Sequence, residues 1–320
     1  MANTSGLSTF NLDLSDLIEE AFERCGSELR TGYDMRTARR SINLLTIEWA
    51  NRGINLWTVE QGQIVMNTGQ ICYAFPPDTI DLLDQVTRTG TGTNQSDLSV
   101  TRISEPTYAT IPNKNATGRP IQVWINRQSG QTNTTTVVLT QALTSTDTTI
   151  YVSDISQLST TGFINITTGG VTETVLYQNV VPTPSSVNAN LGQLTNCFRG
   201  QYNTLAAAHA IIGTTIAVNN LPNINVWPAP SDPGDQYTFI YWRMRRVQDA
   251  GNGVNVQDIP FRFVPCMVAG LAFYLSQKIP SAAARTTYLK SEYEEQWLLA
   301  STEDRDKAAD RYVPRNMMYA

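Results

Sequence analysis

A single histidine, His209, stands in the run 206–210 (AAAHA). Any Ser-His-Asp or Cys-His relay on this chain would have to use it, because the base in those mechanisms is imidazole. It falls in the stretch poorest in carboxylates, with no orienting acid near it in sequence, so it reads as a loop or satisfied surface histidine. One histidine also rules out multi-histidine metal sites, and no alternating Asp/Asn run supplies a calcium loop. Cys25, Cys72, Cys197 and Cys266 lack zinc-type or thioredoxin-type spacing and read as buried free thiols. Gly90 and Gly92 have no following Lys-Thr and no helix start, so they form no phosphate loop. Paired carboxylates could meet in a cleft, but Glu19, Glu20, Glu292, Glu294 and Glu295 lie on expected amphipathic helices, where exposure is the default. The basic-aromatic run 241–246 (YWRMRR) could stack bases and hold phosphates. As a strand it alternates, Trp242 and Met244 on one side and Arg243 and Arg245 on the other, and reads as an ordinary amphipathic strand. No catalytic centre and no cofactor is expected.

The elements that would position these residues fall into three stretches. The first, 1–130, opens with two helices. Leu14, Leu17, Ile18, Ala21, Phe22 and Cys25 recur at helical spacing, with Asp13 as N-cap and Gly26 past the end. Met35, Ala38, Ile42, Leu45 and Trp49 form the stripe of a second helix capped by Asp34, with Arg36, Arg39 and Arg40 off that stripe on a solvated face or partner contact. Short strands follow, with 90–96 (GTGTNQS) a flexible loop. The second stretch, 131–221, carries Arg199 alone against Asp147, Asp154 and Glu173, leaving 22 basic and 25 acidic residues to the rest. Its threonine-rich β-type runs, flanked by Ser, Gly and Asn, predict a small all-β module. The third, 222–320, predicts a strand at 236–245, a helix starting at Pro265 in which Gly270 permits a close crossing, and a long helix over 282–310. The expected fold class is therefore α+β: a four-helix bundle formed by the N- and C-terminal helices, with a β-rich middle and an inserted all-β module.

Charged residues make up 16% of the chain, against an ordinary share of about 25%. The net charge of -5 is unlike that of a free-standing nucleic-acid reader, whose affinity comes from neutralising phosphates. The longest apolar run, 264–275, is too short to cross a bilayer, and the first residues lack the basic and apolar blocks of a signal peptide. A soluble protein made in a reducing cytoplasm is expected, with no membrane partner. At the other end, Arg311, Tyr312, Val313, Pro314, Met317, Met318 and Tyr319 make an apolar tail in which the proline stops helix continuation. Such a tail folds back or docks into a neighbour.

Residues 103–126 (ISEPTYATIPNKNATGRPIQVWIN), the stretch from 225–230 (NVWPAP) to 241–246 (YWRMRR), and the run 265–277 followed by 288–297 (YLKSEYEEQW) resemble tail adaptor proteins, the head-to-tail connectors of short-tailed bacteriophages. The likeness covers roughly 10–126 and 222–320. Within the insertion, 148–154 (TTIYVSD), 195–200 (TNCFRG) and 206–216 (AAAHAIIGTTI) resemble a small β module of phage virion proteins, with Cys197, Arg199, Gly200, His209 and Gly213 as the fitting positions. The insertion is a departure from shorter adaptors. The resemblance implies a virion protein of the phage tail, assembled in the host cytoplasm. It implies a homo-oligomeric, dodecameric ring between the portal protein and the tail nozzle protein, through which double-stranded DNA passes without being read during ejection. It also implies portal binding by the C-terminal tail. A virion surface module whose β insertion binds a host receptor or glycan is the alternative.

Overall fold

The computed structural model describes residues 10–30, 32–53, 56–128, 130–231 and 237–304. Within them five α-helices accompany eighteen strands. The helices are α1 (Leu14–Cys25), α2 (Gly32–Arg52), α3 (Glu105–Ala109), α4 (Val264–Ser276) and α5 (Thr286–Glu303). The chain forms two compact units, one from Met1–Val59 with Arg246–Ala320 and the other from Glu60–Arg245.

The first unit is built on α4. Residues 266–272 of this helix are buried without a break, so α4 is apolar all round and carries no polar stripe. α1, α2 and α5 each pack extensively on it, and their contacts with one another are fewer, chiefly side chains such as Trp49 and Arg52 of α2 reaching α5. This corrects the expected four-helix bundle. In a bundle every helix has an apolar stripe and two long neighbours; here one largely buried helix is the hub, and α1, α2 and α5 are arranged around it. Periodicity shows which face of a helix is apolar but not which helix covers it. The long helix expected over 282–310 begins instead as a 3-10 turn, Pro280–Arg285, before α5.

Local signals set the helix ends. Asp13 accepts from the Asp16 amide at 2.9 Å, and Gly26 closes α1 at φ 74°, a left-handed conformation that favours glycine. Asp34 lies inside the first turn of α2. Gly270 marks the crossing: a Cβ there would lie 2.9 Å from Leu45 and from Tyr293, so only glycine lets α2 and α5 approach α4 this closely. At that crossing the Trp49 indole N–H donates to the Tyr293 hydroxyl at 3.0 Å. Tyr293 and Tyr274 in turn donate to Glu48, at 3.2 and 2.6 Å.

The second unit is almost all sheet. One four-stranded sheet runs Val59–Val65, Thr238–Arg245, Thr79–Thr89 and Ser96–Ser99; another runs Cys72–Ala74, Asn223–Trp227, Gln122–Asn126 and Thr101–Arg102. They share a core that includes Phe75, Leu82, Val123, Val226, Phe239 and Tyr241. The span 90–96 is a tight hairpin turn between two of these strands, held by Gly90 at φ 73°, where a Cβ would strike the Asn94 carbonyl.

The inserted segment folds as a five-stranded sheet with Val171–Tyr177 and Gly162–Thr168 at its centre, beside the three-stranded sheet Asn179–Pro182, Gly192–Thr195 and Ile150–Val152. Ile164, Ile166, Val175, Leu194 and Ile216 fill its core, inward-facing at strand alternation while threonines occupy the other positions. A smaller cluster of Ile71, Cys72, Phe163, Leu176 and Ala229 joins it to the flanking strands. There Gln178 accepts from the Ile71 amide at 2.8 Å and donates to the Gly69 carbonyl at 3.1 Å.

Candidate functional site

His209 is buried, at 2% exposure, and is not a surface residue. Its Nε2 lies 3.1 Å from Glu173 and its Nδ1 lies 3.0 Å from the Thr168 hydroxyl. Glu173 is fully buried and also accepts two parallel bonds from Arg199, both 2.6 Å, and amide bonds from Gly200 at 3.1 Å and Ala207 at 3.0 Å. Arg199 directs its other donors at the carbonyls of Thr144 and Ala207, both at 2.6 Å, and of Asp147 at 3.3 Å. Burial alone pushes the Glu173 carboxyl up, but the Arg199 guanidinium and the Ala207 and Gly200 amides outweigh it and hold it below its usual range.

The β ladder explains how these groups meet. Glu173 and Thr168 lie on adjacent antiparallel strands, Arg199 enters from the neighbouring strand Phe198–Gln201, and an isolated bridge between Leu143 and His209 carries the histidine in. The orienting acid that the sequence did not show near His209 thus arrives from 36 positions away. A signal was available: in a stretch with one basic and three acidic residues, a Glu in a β run and a lone Arg are candidates to be buried together. Of the five positions singled out in the inserted segment, Arg199, Gly200 and His209 meet at Glu173. Cys197 sits in the module core, and Gly213 turns at φ 77° into the strand Thr214–Asn219. The cluster is buried and paired internally, an arrangement that fastens the module's strands together.

Three of the five candidate carboxylates are paired, while Glu19 and Glu295 are exposed on α1 and α5. Glu20 and Glu292 both bind Arg24, at 3.0 and 2.9 Å, and Glu294 binds Arg52 at 2.8 Å. The run 241–246 does not alternate as expected: two register shifts, after Trp242 and after Met244, leave both Arg243 and Met244 buried. Arg243 bonds Asp78 at 2.6 Å and Glu60 at 3.0 Å, and Arg245 bonds Glu60 at 2.6 Å, so this basic stretch is neutralised. Burial raises all four cysteine thiols, Cys25 to about 11 and Cys197 and Cys266 to about 12, well above a reactive range. Among the described residues no His, Cys, Asp and Glu cluster could hold a metal, and no helix is long and apolar enough to cross a membrane.

One surface stands apart. Tyr33, Arg36, Arg39, Arg40, Asn43 and Ala250 line a concavity of about 510 Å³. Arg36 donates to the Gly32 carbonyl, Arg40 to the Thr37 hydroxyl and Arg39 to the Asn252 side chain, all beyond 3.2 Å, and none meets a carboxylate among the described residues. Burial and the Arg40 guanidinium together push the Lys278 ammonium below its usual range, a second sign of an uncompensated positive field. Arg36 also sits near the N-terminal end of α2, where the helix dipole disfavours a cation. Three arginines without a carboxylate partner among the described residues are thus gathered on one surface. The candidate docking tail, Arg311, Tyr312, Val313, Pro314, Met317, Met318 and Tyr319, lies outside the described residues.

Compared with known proteins, the chain matches no family model and no curated protein.

Proposed function

We propose that this chain is a structural virion protein, not an enzyme: an adaptor whose homo-oligomeric ring joins the portal to the tail nozzle of a short-tailed bacteriophage and lines part of the DNA ejection channel. The observation that carries the reading is the construction of the first unit. Helices from the N-terminal side (α1, α2) and the C-terminal side (α5) of the sequence both pack on α4, with a β-rich segment of 186 residues between them in the chain. That organisation accompanies the adaptor-like runs 265–277 and 288–297, which form α4 and α5. A β module locked around Glu173 and an unneutralised arginine surface suit a protein that works by contact. The tail 311–320 is the proposed portal-docking element. Purified full-length chain mixed with portal rings should give a ring-on-ring complex by electron microscopy, and deleting 311–320 should weaken it. A deletion variant that binds portal as well as the full chain would refute the tail's role.

A second reading has one feature in its favour. The module carries a polar concavity of about 300 Å³ lined by Gln141, Asp147, Thr149 and Tyr151, a hydroxyl- and amide-rich surface with one aromatic ring of the kind that holds sugars. Binding of the full chain on a glycan array, lost in Tyr151→Ala, would promote this receptor-binding role.

A further inference from the structure

α2 and α5 are apolar on two faces each. One face of each packs on α4; the other looks outward. On α2 the outward residues Tyr33, Arg36, Arg40, Leu44 and Ile47 fall at spacings of three and four, a single helical stripe. Tyr33 is 63% exposed and Leu44 is 52% exposed. On α5 the outward stripe is Tyr288, Glu295, Leu298 and Leu299, with Tyr288 at 69% and Leu298 at 65%. A solvated helix keeps one apolar stripe and fills the rest with polar residues. Two large outward apolar stripes within one small unit mark a surface that is covered in the assembled state.

The charges on the two stripes are opposite. Arg36 and Arg40 have no carboxylate partner among the described residues, and Glu295 has no cation partner among them. An α2 stripe laid on another α2 stripe would set guanidiniums against guanidiniums. An α5 stripe laid on another would set Glu295 against its own copy. Only α2 against α5 pairs the charges while burying tyrosine and leucine from both sides.

We infer that the outward face of α2 on one copy of this chain docks on the outward face of α5 on the next copy, with Arg36 and Arg40 meeting Glu295. The partner is a second copy because both halves of the complementary pair are present on one chain. The contact joins unlike faces, so it is heterologous and propagates to a closed ring or an open filament, not to a two-fold dimer. It deepens the ring reading above and rests on it only for closure: failure to bind portal would leave this contact standing.

The test is the mass of the full chain alone, by light scattering across a concentration series, without portal. The wild type should assemble beyond a dimer, less so as salt rises. Arg36→Glu with Arg40→Glu should weaken assembly by about 100-fold, because like charges are then juxtaposed. Glu295→Arg alone should also weaken it, and all three substitutions together should restore it. These positions are exposed, so circular dichroism should stay that of the wild type. Leu298→Ser with Leu299→Ser should reduce assembly without affecting its salt dependence. A wild type that stays monomeric throughout overturns the inference. So does an assembly unmoved by the charge reversals, or one that stops at a dimer.

Discussion

Glu173 is a fully buried carboxylate in the stretch of the chain poorest in charge. Its cost of burial is offset only because Arg199, two backbone amides and His209 all point at it. Removing one partner of such a pair leaves the other charge stranded. Arg199→Met should therefore destabilise the module by about 3–5 kcal/mol, measured as a shift in urea midpoint by circular dichroism. The carboxyl is held below its ordinary value of 4.5, so its contribution is fully present above that pH and is lost as pH falls through the folded value. The urea midpoint should be flat near neutrality and fall in acid. Asp147 and Asp154 shift in the same direction, so the difference between wild type and Glu173→Gln isolates the buried carboxyl; an identical acid slope in both would sink this account. The sequence singled out His209, Arg199 and Gly200 by type and by resemblance. It could not show that they meet, because their common partner Glu173 is contributed by a strand pairing across the sheet.

At the scale of elements, the ends of α1 were legible because capping is local: Asp13 and Gly26 act within a few residues of themselves. Gly270 was legible for the same reason, a small residue amid apolar ones at a helix crossing. The way the helices assemble was not. Four amphipathic stripes are compatible with a bundle, and what decided against it is that α4 has no polar face at all, so it takes the centre. The alternation expected for 241–246 failed because register shifts belong to the pairing with Thr79–Thr89 and not to either strand alone. Gly270→Ala offers a direct test of the hub. Alanine favours the helix by about 1 kcal/mol, but its Cβ would press on Leu45 and Tyr293, and overpacking costs about 1–3 kcal/mol. A net loss of stability is expected in chemical denaturation; a gain would mean that α2 and α5 can back away from α4.

For the whole molecule, the division is between a helical unit built from the N- and C-terminal helices and a sheet-rich unit with its buried charges fastened in place. In the second unit Arg88, Arg199, Arg243 and Arg245 meet carboxylates, whereas Arg36, Arg39 and Arg40 in the first meet none among the described residues. The exposed apolar stripes of α2 and α5 lie in that same first unit. Recognition between copies is therefore assigned to the helical unit, and charge reversal at Arg36 and Arg40 should change assembly while leaving the sheet-rich unit's unfolding transition where it was. None of this was visible in the net charge of -5, which averages a locally basic surface into an acidic whole. The central claim is that this chain forms a ring seated between portal and nozzle. Electron microscopy of the purified chain mixed with portal rings tests it most directly. The account predicts a second ring stacked coaxially on the portal, whereas portal rings left bare at saturating chain would contradict it.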